Sequence, residues 1–260
     1  MSIMARQMLL YDRVVPLSTQ RHATWSLQAL QRYDFARGIN SVPLMATEII
    51  TAAREYCVVF ARQGDVVMPA AVLGVRDGEN TYVEADGGWR AGYVPAFIRR
   101  YPFVVASRDD GKTFTLCIDE DFGGWNQEGR GEALFGDDGK ETEYLSKVVD
   151  FVKQYQLEFQ RTKAVCDRLV ELGLFEGTRV QMRAPDGQEA NLGGFLAVSR
   201  DKLKALEPAV LAELAKGDLL ELIYAHLSSL RNFQDLASRT LVAAPAEGAS
   251  ALDGPPAGTA

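Results

Sequence analysis

At 260 residues, 47% apolar and 24% charged, the chain has ordinary globular composition and enough length for a core that needs no disulfide staples. Its net charge of −7 argues against non-specific nucleic-acid binding, which needs phosphate-neutralising basic surface. The three cysteines stand singly at Cys57, Cys117 and Cys166, with no CxxC spacing. They read as buried free thiols of a reducing compartment rather than as ligands or nucleophiles.

Near the N-terminus a short apolar run, Met8 to Leu10, is broken at once by Tyr11, Asp12 and Arg13. A secretory signal needs a longer apolar region, and no window reaches the roughly 18 apolar residues of a membrane span. The expectation is a cytoplasmic protein with no membrane insertion. After Pro43, Ile49, Ile50 and Ala53 recur at helical spacing and predict a short helix over residues 45–55.

From residue 57 to 120 the pattern changes to period two. CVVFA leads to Gly64-Asp65, VVMPAAVLGV to Asp77-Gly78, and TYVEA to Asp86-Gly87, while Asp110-Gly111 separates FVVASR from TFTLCID. Asp-Gly between apolar runs signals a hairpin, because glycine tolerates the positive φ of the primed turns. Residues 121–140 carry six glycines and no periodicity, and read as a long surface loop. The charge is uneven here as well. Residues 109–143 hold eleven acids and three bases, −8 in all, leaving +1 for the rest.

Residues 143–173 give the clearest helical periodicity, with Leu145, Val148, Val152, Tyr155, Phe159, Cys166 and Leu169 on one face and Gly173 as a stop. A hairpin turned at Asp186-Gly187 follows. Ser199 then opens a helix that ends at Gly217, and Asp218 with Glu221 reads as the capping box of a last helix to about residue 238. The fold expected is α+β: an antiparallel β meander or small barrel, then a long helix, a hairpin and two C-terminal helices. This forms a single domain over residues 1–240, followed by a disordered Ala/Pro/Gly-rich tail over 241–260.

Standard catalytic motifs are absent: no GxSxG, HExxH, Walker loop or GxGxxG. With only two histidines, a multi-His metal site or facial triad cannot be assembled from His22 and His226 without several carboxylates, and neither metal nor cofactor is expected. His226 sits in the middle of an apolar stripe of Leu219, Leu222, Ile223, Leu230 and Phe233. It is either a satisfied core histidine or a general base at a pocket between helix and sheet. Asp119 and Glu120 end a strand beside the glycine segment, as solvated turn residues or as cation ligands.

Aromatic and basic residues concentrate between Gly88 and Phe103, where Trp89, Tyr93, Phe97, Tyr101 and Phe103 alternate with Arg90, Arg99 and Arg100. Pro95 and Pro102 confine residues 96–100 to a short turn or helical segment. Two adjacent arginines there cannot both point inward. The inward one is expected to meet a carboxylate of the acidic segment, Asp119 or Glu120.

Several strings taken together resemble the SapC family of bacterial proteins. They include YDFA at 33–36 with Pro43 and Leu44, Leu73-Gly74 with GEN at 78–80, Trp89 with YVP at 93–95, and IRRYPF at 98–103. LCIDE at 116–120, Leu134-Phe135 with Asp138-Gly139, Gly194 with Lys202-Leu203, and YAH at 224–226 with Ser229, Leu230 and Asn232 complete them. The resemblance covers residues 11–236. It implies a link to surface-layer-associated proteins, and to gene neighbourhoods with TonB-dependent receptors, flavin-dependent halogenases and cupin-like proteins, but no mechanism. The family often has proline where Cys57 stands, which implies no thiol chemistry there.

The function expected is that of a non-catalytic binding or accessory protein in an envelope- or surface-linked pathway. It would recognise a peptide, a surface protein or a modifying enzyme through Trp89, Tyr93, Arg99, Arg100, Tyr101 and Trp125, since aromatics and arginine anchor interfaces. The alternative is an enzyme with a pocket around His226, Asp119, Glu120 and Arg99 or Arg100.

Overall fold

The computed structural model describes residues 10–30, 32–108, 113–183 and 189–242. The N-terminal region supplies short pieces: strand β1 (Val14–Pro16), one helical turn α1 (Thr19–His22), β2 (Ser26–Leu27) and β3 (Ser41–Pro43). A 3₁₀ turn over Ala46–Glu48 runs into α2 (Ile49–Ala52), where the helix over 45–55 was expected.

β4 (Cys57–Gln63) and β5 (Val66–Val72) form a hairpin in continuous register, from Cys57 opposite Val72 to Gln63 opposite Val66. Gly64, at φ 57, and Asp65 make its two-residue turn, and glycine at positive φ in the first position suits a type II′ turn. The hairpin expected at Asp77-Gly78 does not form. The Leu73 N–H leaves the sheet to donate to the Asn40 carbonyl at 2.7 Å, and Asp77 accepts from the Asn40 amide at 3.0 Å. Of TYVEA only Val83 pairs, in a single bridge to Trp89 around Asp86-Gly87.

The segment between the two prolines folds as expected into one helical turn, α3 (Ala96–Arg99). β6 (Phe103–Arg108) and β7 (Thr113–Asp119) then pair as a hairpin. Its expected turn at Asp110-Gly111 lies outside the described residues. The glycine segment is not an open loop. β8 (Trp125–Asn126) and β9 (Glu132–Ala133) flank β2 on either side. This requires glycine: a Cβ at Gly131, whose φ is 84, would stand 2.2 Å from the Leu27 carbonyl oxygen.

The long helix α4 (Glu143–Glu171) starts where the Thr142 hydroxyl accepts the Leu145 N–H at 3.2 Å. It ends in paired bonds from the Gly173 and Leu174 N–H groups to the Val170 and Leu169 carbonyls. β10 (Phe175–Arg183) and β11 (Glu189–Val198) form the next hairpin, with Asp186-Gly187 outside the described residues.

Instead of two C-terminal helices the chain makes α5 (Arg200–Lys204), α6 (Pro208–Lys216), α7 (Leu219–Ser229) and α8 (Asn232–Val242). Ser199 caps α5 as expected, but Pro208 takes the first position of a new helix, where its missing N–H costs nothing. The Asp218 capping box is absent. Asp218 sits in the left-handed region at φ 60, and its carboxylate makes no capping bond. Leu241 and Val242 belong to α8; the rest of the expected tail lies outside the described residues.

The class is α+β and all strand pairs are antiparallel, but the sheets do not close into a barrel and the 57–119 strands are divided between two of them. One sheet runs β10-β11-β4-β5-β3, a second β1-β7-β6, and a third β8-β2-β9. α4 packs on both β5 and β6, and so joins the first two. Tyr155 of α4 belongs to the main core with Ile98, Val59 and Met68, while Leu145 and Val152 pack with Phe103 and Ile118.

Candidate functional site

The two strand-end carboxylates are consumed by structure. Asp119, fully buried, accepts the N–H groups of Asp12 and Arg13 at 2.9 Å each, that of Asp121 at 3.2 Å and the Tyr101 hydroxyl at 3.1 Å. Glu120 receives His22 Nε2 at 2.9 Å and the guanidinium groups of Arg21 and Arg13. His22 is itself fully buried, with Nδ1 on Ser18. This clasp ties residues 12–22 to β7. No feature of the sequence around His22 marks it as the partner of a carboxylate 98 positions away.

His226 is a satisfied core histidine. The Val198 N–H donates to Nε2 at 3.1 Å, so Nδ1 carries the proton and donates to the Val58 carbonyl at 2.9 Å. The pairing of Leu196 with Phe60 puts Val198 opposite Val58. The imidazole thus replaces a rung of the β4–β11 ladder. Burial depresses its pKa to about 4, which keeps the ring neutral. Ser229, one turn on, accepts the Val58 N–H at 3.0 Å. Among the described residues no hydrogen bond or ion pair joins His226 to Asp119, Glu120 or Arg100, so the structure does not assemble these four into one site.

The aromatic residues do come together, as a band of half-buried rings. Trp89 meets Tyr33, with ring centroids 5.3 Å apart, and Tyr33 meets Phe35 at 6.2 Å. Phe35 stacks on Tyr101 at 4.1 Å. Tyr101 in turn meets Phe122 edge-on at 5.3 Å, and Phe122 meets Trp125 at 6.0 Å. Polar tips fix the band in place: Trp89 Nε1 donates to Tyr56 Oη at 2.7 Å, and Trp125 Nε1 to the Asp119 carbonyl at 2.7 Å. The Tyr93 hydroxyl donates to the buried Glu48 at 2.7 Å. Burial, and then the Glu48 charge, raise the Tyr93 pKa. Glu48 also accepts the Ala96 N–H at 2.8 Å, which seats the first turn of α3.

The two arginines of α3 diverge, as adjacent residues on a turn must. Arg99 is exposed. Its Nε donates to the Val94 carbonyl at 3.0 Å, and its guanidinium lies over Tyr93 and Phe151 at 5.8 and 5.5 Å. Arg100 points inward and is 2% exposed. Against expectation it meets no carboxylate among the described residues. Asp119 and Glu120 are already saturated by the N-terminal segment, and the guanidinium is ringed by Phe97 at 4.3 Å, Tyr155 at 5.0 Å and Tyr11 at 5.9 Å. Its Nε and Nη2 have no hydrogen-bond partner, nor does the buried Tyr155 hydroxyl. Glu48 and Tyr155 were not anticipated in this role.

Both arginines line a pocket of about 270 Å³ between α3 and α4, walled by Phe103, Tyr144 and Phe151, with Lys147 at the edge and no acidic residue in its lining. A larger cleft of about 670 Å³ opens beside β3 and the β4–β5 turn, where Asn40, Arg62, Gln63 and Asp77 face Phe97 and Phe159. None of the residues expected to form a site, from Trp89 to His226, lines it. The family model described as SapC matches residues 17–236, most of the chain.

The chain belongs to the SapC family. No curated protein and no solved structure matches it. In this SapC-family chain, among the described residues, no cluster of three His, Cys, Asp or Glu side chains is placed to hold a metal ion, and no helix is long and apolar enough to cross a membrane. The cysteines are buried; burial pushes the Cys57 thiol up and the Cys166 thiol up to about 12, which removes the thiolate on which reactivity depends.

Proposed function

We propose that this protein is a non-catalytic binding or accessory component of an envelope- or surface-linked pathway, acting from the cytoplasm. It recognises a peptide segment of a surface protein or modifying enzyme, not a nucleic acid, and folds as one unit through about residue 240. The observation that carries this reading is the half-exposed ring band from Trp89 to Trp125, beside two guanidinium groups with no carboxylate partner among the described residues. Large amphipathic rings and arginine supply contact area at low conformational cost and anchor interfaces. His226, Asp119 and Glu120, by contrast, have their hydrogen bonds filled within the fold.

The test is capture from an envelope fraction on immobilised protein, with mass spectrometry of the bound species. A partner retained by the parent and by the distant surface variant Lys216→Glu, but lost with Arg99→Glu, is the expected result. A partner retained equally by all three would overturn the assignment to this face.

A further inference from the structure

A buried cation with unmet donors needs an acceptor. Arg100 is withdrawn from solvent, and its guanidinium is surrounded by the rings of Phe97, Tyr155 and Tyr11, with the Tyr11 hydroxyl within hydrogen-bonding reach. Attraction to a ring face offsets only part of the loss of hydration. Aromatic faces also leave N–H donors unbonded, and an unmet buried donor is costly. Two nitrogens of Arg100 and the hydroxyl of Tyr155 stand unpartnered in the same neighbourhood, and burial raises the Tyr155 pKa, offset only in part by the Arg100 charge, so the hydroxyl keeps its proton as a donor. The Tyr11 hydroxyl donates to the Phe103 carbonyl at 2.8 Å and its oxygen can accept from Arg100, but Nε and Nη2 remain unmet.

We infer that Arg100 and Tyr155 form a receptor for one carboxylate whose apolar body lies in the pocket between α3 and α4. The chemistry of the surroundings selects this class. The guanidinium fork matches a carboxylate bidentately, and no acidic side chain lines the pocket to repel it. Lys147 is paired with Glu143 at 2.6 Å, and Arg99 is exposed, with its Nε on the Val94 carbonyl and its charge screened by solvent. The buried charge left to neutralise is the single one of Arg100, which favours a monoanion over a dianionic phosphate. Phe103, Tyr144 and Phe151 offer an apolar wall. This names the group recognised by the proposed binding face and rests on that reading. A free organic acid and the C-terminus of a peptide share the chemistry.

Isothermal titration of the full chain decides it, with phenylacetate, phenylacetamide and inorganic phosphate as probes, and with an N-acetylated tripeptide ending in phenylalanine, as acid and as amide. Expected are binding of an acid, its amide at least tenfold weaker, and phosphate weaker than the acid. Arg100→Met should abolish acid binding and Tyr155→Phe weaken it several-fold. Arg99→Ala should change it less than threefold.

Binding of the free acid alone assigns a small-molecule ligand, and tighter binding of the peptide acid assigns a chain terminus. No binding of either acid, equal binding of acid and amide, preference for phosphate, or full affinity in Arg100→Met overturns the inference. If Arg100→Met fails to fold, Tyr155→Phe decides, and unchanged affinity there overturns it. The two proposals fail separately. A partner lost with Arg99→Glu but kept by Arg100→Met removes the carboxylate site and leaves the binding face. Acid binding with no captured partner leaves the site and removes the face.

Discussion

Asp119 and Arg100 are both buried charges, and the residue next to Arg100, Tyr101, donates to Asp119. Yet Asp119 has four donors around it and Arg100 has unmet donors of its own. A buried charge that is fully bonded fixes the fold, because losing it strands every partner it satisfied. A buried charge with no counter-charge destabilises the chain that carries it, and is supported by the packing around it. The first kind marks structure; the second is where we infer that something else binds. Composition treats the two as equivalent.

The largest effect expected on this contrast comes from Asp119→Ala. Three backbone N–H groups and a tyrosine hydroxyl would lose their acceptor, and the clasp would lose its buried anion. Urea unfolding should show a loss of about 3–5 kcal/mol. A loss under about 1 kcal/mol would show that residues 12–22 contribute little to stability.

His226 offers a pH test of a saturated group. Its folded pKa, about 4, lies below the value near 6.5 of an exposed histidine. The unfolded chain therefore binds the extra proton first. The histidine's contribution is fully present above about pH 6.5 and is lost as pH falls toward 4, by about 3 kcal/mol in all. Denaturant melts at pH 7 and pH 4.5, on the parent and on His226→Gln, should differ in slope. Identical pH dependence in the two would show that the ring does not carry this term.

Arg100→Met should be nearly neutral, within about 1 kcal/mol of the parent or more stable, since it removes an unneutralised buried charge and keeps a long side chain. A loss above about 3 kcal/mol would mean that Arg100 has an anionic partner inside the fold and would collapse the contrast. Arg99→Ala, at an exposed position, should cost less than about 0.5 kcal/mol while weakening partner capture.

Local chemistry was legible in the sequence; long-range commitment was not. The two prolines at 95 and 102 place α3 and force Arg99 and Arg100 apart, and Gly64-Asp65 gives the β4–β5 turn. Asp77-Gly78 misleads because the same dipeptide serves any turn, and its fate depends on Asn40 taking the next backbone bond. Arg100 and the nearby acids of residues 109–143 look complementary along the chain. Among the described residues they do not pair, because the N-terminal segment holds Asp119 and Glu120, and nothing local to either segment records that competition. The large cleft beside β3 is equally silent, being assembled from turns and strand ends that carry no catalytic motif.

The imidazole of His226 stands where β4 and β11 pair at Leu196 and Phe60. With so short a ladder, the boundary between the β10–β11 hairpin and the rest of its sheet depends on a side chain from α7. Opening there would separate a cooperative unit of the chain below the global unfolding free energy. Amide hydrogen exchange at Val198, whose N–H is held by that ring, should then report the opening before the paired amides of β4 and β5 do, and acid that protonates the ring should hasten it.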